Sequence, residues 1–166
     1  MRLTLETSVL PYWRPALRRG FELIAKRLGI TDYEGTLAVS VVPWLGPGTE
    51  AMAGPIRSDT NARRAIAGQR PIEYELIFAA WVEPKSLLPV FAHELVHIKQ
   101  WVTGEFGLKL YGHELGKTYM NVRTDNLDIP YSQQPWEIEA FSRMYELGDY
   151  AKLKIQEEQE QLKEAA

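Results

Sequence analysis

A chain of 166 residues, 45% hydrophobic and 25% charged, is long enough for one domain with a sizeable core, too short for two of ordinary size, and too apolar for disorder along most of its length. A net charge of -3 says little about partners, but the absence of cysteine excludes disulfides, thiolate metal sites and cysteine nucleophiles together. Any metal must be held by His, Asp or Glu, and there are only three histidines.

From Pro11 to Leu28, the residues Trp13, Leu17, Phe21, Ile24 and Leu28 recur at helical spacing and Gly29 follows where a helix would stop, so an amphipathic helix is expected. Thr36 to Trp44 carries Leu37, Val39, Val41 and Val42 between Gly35 and Pro43 and reads as a strand. Gly46 to Pro71 has Gly-Pro punctuation and several arginines, with one short helix beginning after Asp59; a connection this long is usually functional or mobile. A second strand, Glu73 to Val82, alternates only in part and ends at Glu83-Pro84. Ser86 to Thr103 is then a strongly apolar helix closed by Gly104. The aromatic stretch from Gly107 to Gln134 receives no assignment. Pro135 suits the first turn of a helix running to about Leu147, because its missing amide hydrogen has no intrahelical partner there. Ala151 to Ala166, dominated by Lys, Gln and Glu, reads as a solvated helix that frays, or as an oligomer contact through Leu153 and Leu162. This order of elements, without internal repeats, gives an α+β fold with a small sheet. No run approaches the roughly 20 apolar residues of a membrane span, and Met1-Arg2-Leu3-Thr4-Leu5-Glu6 lacks the basic-then-apolar pattern of a secretion signal. A cytoplasmic protein without membrane contact is therefore expected.

Chemistry concentrates in His93-Glu94-Leu95-Val96-His97. Two histidines four apart on a helix project from one face and can reach the same ion at about 2.0 to 2.1 Å. Glu94, one step round, can accept a proton from water acidified by the cation and deliver it to a leaving amine. The surrounding helix is apolar over most of its circumference, apart from Lys99 and a stripe formed by His93, Glu94, His97 and Gln100. Carrying such groups inward is tolerable only if they are paired or bound to a cation. The plainer alternative is a pair of hydrogen-bonded core histidines. The spacing favours zinc and hydrolysis of a peptide bond.

Catalytic zinc usually takes three protein ligands. Pro135-Trp136-Glu137-Ile138-Glu139-Ala140 opens a helix with two carboxylates, and Ala140 shares a face with Glu137, so Glu137 is the first choice and Glu139 the reserve. An acid in a first helical turn is also a simple cap. His113 competes as third ligand, as a donor to the oxyanion formed during attack, or as a surface residue. Tyr111, Tyr119 and Tyr131 are further donors that the sequence does not rank.

Phe91-Ala92-His93-Glu94-Leu95-Val96-His97-Ile98-Lys99-Gln100 followed by Pro135-Trp136-Glu137-Ile138-Glu139-Ala140 resembles the small zincin-like metallopeptidases of phages and prophages. The resemblance covers about the final half of the domain. More broadly the arrangement is similar to the gluzincins, whose third ligand is a Glu on a downstream helix, often with a small residue three positions later. It implies a zincin-like domain over residues 1–150, with a small mixed sheet packed on the motif helix and further helices, and a polar helical tail over 151–166. It also implies that the strand before the motif helix, Glu73 to Val82, is a sheet edge that binds an extended peptide, with Gly46 to Pro71 covering the cleft. Many gluzincins carry an acid four positions after the ligand, supporting a zinc-bound histidine. Here that position is Phe141, which keeps Glu139 in play.

The expected function is a zinc-dependent metallopeptidase acting on a peptide or protein, in the host cytoplasm if phage-encoded. The alternative is a non-catalytic, zinc-stabilised binding or virion-associated protein. Nucleic-acid binding through Arg14, Arg18, Arg19, Lys26 and Arg27, with Arg57, Arg63, Arg64 and Arg70, is disfavoured by the acidic balance.

Overall fold

The computed structural model describes residues 1–111, 114–124 and 127–165. The apolar stripe after Pro11 folds as α1 (Arg14–Leu28), burying Leu17, Phe21, Ile24 and Leu28, and Gly29 leaves it in the left-handed conformation. Before it lies a strand the sequence did not announce, β1 (Arg2–Leu5), parallel to β2 (Thr36–Val42). β2 in turn is parallel to β4 (Glu73–Ala79), and β3 (Ala51–Pro55) pairs antiparallel with the far side of β4. The sheet order is β1-β2-β4-β3. Alternation selects its inner face: Leu37 and Val39 of β2 and Tyr74, Leu76 and Phe78 of β4 are buried, while the residues between them stay half-exposed.

Both expected strands stop short, β2 at Val42 instead of Trp44 and β4 at Ala79 instead of Val82. The long connection is more ordered than its Gly-Pro punctuation implied. It contains β3 and then α2 (Asp59–Ile66), whose first turn is capped by the Ser58 hydroxyl accepting from the Asn61 amide. The Asn61 side chain donates to the carbonyls of Ile56 and Glu73 and accepts from the amide of Ile72, tying α2 to the sheet.

α3 (Leu87–Thr103) lies in the core, in contact with α1, β3 and α4 (Pro135–Glu164), and nearly all of it is buried. The unassigned segment after it forms a separate antiparallel sheet of β5 (Phe106–Tyr111), β6 (Glu114–Tyr119) and β7 (Val122–Arg123). The expected end of α4 near Leu147 is wrong: the helix runs unbroken to Glu164. Its polar second half is anchored by buried Ala151 and by Glu158, which pairs with Arg19 of α1 at 2.6 Å. Leu153 and Leu162 are exposed. Among the described residues the result is α+β: four α-helices, a small mixed sheet and a separate antiparallel one. No helix among the described residues is long and apolar enough to cross a membrane.

One expectation about the sheet is overturned. β4, the strand before the motif helix, is not an edge; it is flanked by β2 and β3. The edge is β3, and the reason is the antiparallel return of the chain through 51–55, a pairing between residues too far apart to read from local alternation.

Candidate metal centre

His93 and His97 stand one turn apart on α3, and Glu137 reaches them from the first turn of α4; all three are buried. His93 Nε2 and His97 Nε2 are 3.2 Å apart, His93 Nε2 is 3.3 Å from Glu137 Oε2, and His97 Nε2 is 3.4 Å from Glu137 Oε1. Ligands at about 2.05 Å from a tetrahedral ion are separated by about 3.3 Å; the histidine pair has that spacing, and so does each histidine from its nearer Glu137 oxygen, a different oxygen for each. Glu137 Oε2, although near His93, makes no hydrogen bond and is shut off from water. An acceptor buried in that state costs free energy unless a cation answers it. Among the described residues His93, His97 and Glu137 form a group able to hold a metal ion.

Burial is the largest influence on the Glu137 carboxyl and pushes its pKa up, but contacts with His93, His97 and Tyr131 outweigh it and hold the group well below the usual carboxylate range. Burial likewise pulls the His97 imidazole down, and Glu137 and Glu94 more than reverse this, leaving its pKa raised. Glu94 is a neighbour of the group and not a member of it. Burial raises its pKa, the two histidines oppose the rise, and Glu137 adds to it.

Glu139, two residues along α4, faces elsewhere. Its Oε1 pairs with Lys99 Nζ at 3.0 Å and its Oε2 accepts from Gln100 Nε2 at 2.9 Å, so it lies outside the cluster. His113 and the side chain of Tyr111 lie outside the described residues. Tyr119 packs its ring on Phe106 and Trp136. Tyr131 is different: it lines the cleft, and burial together with the neighbouring Glu137 carboxylate raises the pKa of its hydroxyl. Phe141 lays its ring against His93, with centroids 4.6 Å apart, where the resemblance led one to expect an acid.

His93, His97 and Glu137 line a cavity of about 530 Å³. One wall is the segment from Pro47 to Ala53, which includes the first three residues of the edge strand; Tyr131, Phe141 and Met144 form another, and Trp101, Phe106, Trp136 and Lys117 close an end. Ile56 N donates to Glu73 O and Ala79 N to Glu50 O, so ladder bonds fall on the even-numbered residues of this strand. The amides of Ala51 and Ala53 therefore point outward, and the third outward position is Pro55, which has no amide hydrogen. The sequence placed this segment at the cleft as a cover but not as an edge strand, and the part played by Gln100 was not legible, although Gln100 already stood on the polar stripe of the motif helix without a role.

Of the basic residues weighed for nucleic acid, several are engaged internally. Arg14 donates to Val9 O, Arg27 pairs with Glu146 and lies over the Tyr150 ring, Arg64 donates to Arg70 O, and Arg70 donates to Val102 O. No family model, no curated protein and no solved structure matches this chain.

Proposed function

We propose that this protein is a zinc-dependent peptidase of zincin-like architecture, with His93, His97 and Glu137 as ligands and Glu94 as the proton-transferring group. The observation that carries the reading is the convergence of two imidazole nitrogens 3.2 Å apart on the two oxygens of the Glu137 carboxylate, one at 3.3 Å from His93 and the other at 3.4 Å from His97, beside a buried carboxylate that is not part of the group. Two imidazoles and a carboxylate suit zinc among common ions, and zinc bound there supplies a Lewis acid that acidifies water and polarises a carbonyl.

The remaining chemistry belongs to the chain. Glu94 takes the proton from the attacking water and gives it to the amine that leaves; its raised pKa makes it a better proton holder than an exposed glutamate. Tyr131, at the cleft wall, donates to the carbonyl oxygen as negative charge gathers there. The outward amides and carbonyls of Ala51 and Ala53 give an extended peptide a strand to pair with, which moves the substrate-binding role from β4 to β3. The segment expected to cover the cleft thus becomes the wall along which substrate lies.

A second reading, a non-catalytic protein whose zinc clamps α3 to α4, draws on Phe141 occupying the position of a supporting acid. Elemental analysis of the purified protein, with cleavage of a peptide library by wild type and Glu94→Gln, separates the two. The peptidase reading expects about one zinc per chain, turnover by wild type and none by the variant. Zinc without turnover by wild type favours the clamp; no metal at all sinks both.

A further inference from the structure

We infer that Gln100 is a positioning residue for His97, the middle of a relay Glu139–Gln100–His97 that sets which imidazole nitrogen is free for a metal. This rests on the metal reading above and adds to it a reason for one buried and one half-buried polar residue, Gln100 and Glu139, that the ligand set does not use.

The direction of the Gln100 amide follows from its surroundings. One end of the side chain lies 3.0 Å from Trp136 O and 2.9 Å from Glu139 Oε2. A backbone carbonyl and an ionised carboxylate only accept, so that end is the NH2 group. Lys99 Nζ, 3.0 Å from Glu139 Oε1, helps keep the carboxylate charged. The opposite end, Gln100 Oε1, must then face His97 Nδ1, at 2.9 Å, and an oxygen there requires that Nδ1 carry the hydrogen. His97 Nε2 is left with a bare lone pair, directed at His93 Nε2 and Glu137. Gln100 is 0% exposed, so water is not available to replace it.

His93 has no such partner. Its Nδ1 is buried without a hydrogen bond, and the Phe141 ring covers that imidazole. The two ligands are thus unequal: His97 is preset through its Nδ1 by a chain of hydrogen bonds that starts on α4, and the Nδ1 side of His93 has only packing behind it. Through Gln100, Glu139 does for His97 by way of an amide what a carboxylate in direct contact does for many metal-bound histidines.

Long-range proton–nitrogen correlation spectra of the metal-free wild-type protein at about pH 9, well above the ordinary imidazole pKa, read the tautomer directly. The expected result is His97 protonated on Nδ1 and bare on Nε2. Gln100→Met keeps the volume and removes the bonds; it is expected to give mixed tautomers at His97 and to raise the zinc dissociation constant, measured against a competing chelator, by about 10- to 100-fold. Glu139→Gln, which keeps an acceptor for Gln100 and loses the charge, is expected to fall between them. Wild-type His97 protonated on Nε2 overturns the relay whether or not Gln100→Met folds, and so does a folded Gln100→Met with wild-type tautomer and affinity. A wild-type protein that shows the Nδ1 tautomer yet binds no zinc removes the peptidase reading and leaves the relay standing.

Discussion

Gly148 of α4 lies against the backbone of Pro89 in α3, so close that a Cβ at position 148 would stand 2.6 Å from both Cα and N of the proline. That approach, with buried Ala140 and Ala151 along the same helix, is what lets α4 lie on α3 and carry Glu137 to the two histidines. In an exposed helix Gly→Ala gains about 1 kcal/mol of helix propensity. Here the added methyl meets rigid backbone, and overpacking of this kind costs about 1–3 kcal/mol. Gly148→Ala is expected to lower the chemical denaturation midpoint and weaken zinc binding together. Gly20→Ala is the control: its Cβ would meet only the flexible end of Leu88, so any loss should be smaller. Equal tolerance of both substitutions would contradict this view of the helix contact.

Glu137 and His97 make opposite pH contributions in the metal-free protein. The Glu137 pKa is depressed in the folded state, so its stabilisation is present above the unfolded carboxyl value of about 4.3 and is lost as pH falls below it. The His97 pKa is raised, so its stabilisation is complete below the unfolded value of about 6.5 and is lost as pH climbs through the folded value. With chelator present, the pair should therefore help most between about pH 4.5 and 6.5. With zinc present the trend reverses across the same window, because protons compete for the imidazoles. Thermal unfolding with and without chelator from pH 4 to 8 should give curves that converge on the acid side. A zinc-induced shift as large at about pH 4 as at pH 8 would rule out histidine ligation.

Removing the Glu94 carboxyl without changing its size should separate binding from chemistry. Glu94→Gln is expected to retain zinc and lose about 100- to 10,000-fold in kcat, the usual contribution of a positioned acid–base group. Loss of metal in this variant, read by elemental analysis, would mean that Glu94 is a ligand.

The open edge of β3 can be tested with proline. Ala53→Pro removes an outward amide and leaves the ladder with β4 intact, so peptide KM should rise about 2- to 10-fold, the equivalent of one hydrogen bond, with zinc affinity unchanged. Met52→Pro removes an amide that faces β4 and should cost stability instead. If Ala53→Pro left peptide turnover untouched, substrate would have to bind elsewhere in the cleft.

The elements that could be read in advance are those whose signal is local. The stripe of α1, the apolar motif helix with its closing Gly104, and Pro135 at the start of α4 each depend on residues within a few turns. β1 and β3 escaped notice because four or five residues carry little pattern of their own, and both are strands by virtue of what they pair with. The second sheet, β5 to β7, was hidden in a mixed aromatic stretch for the same reason. The polar half of α4 looked as if it would fray, and only its packing through Ala151 and the Arg19–Glu158 pair explains its persistence.

By itself, the amino-acid order determined that two imidazoles and a carboxylate would share the buried helix α3, because four residues make about one turn and burial follows from the apolar flanks. It did not determine which downstream acid would join them. Glu137 and Glu139 differ by roughly 200° around α4, so the choice depends on how that helix is turned over α3. That rotation is set by Gly148 against Pro89 and by Gln100 reaching Trp136 and Glu139, contacts between residues far apart in the chain that only the packed molecule brings together.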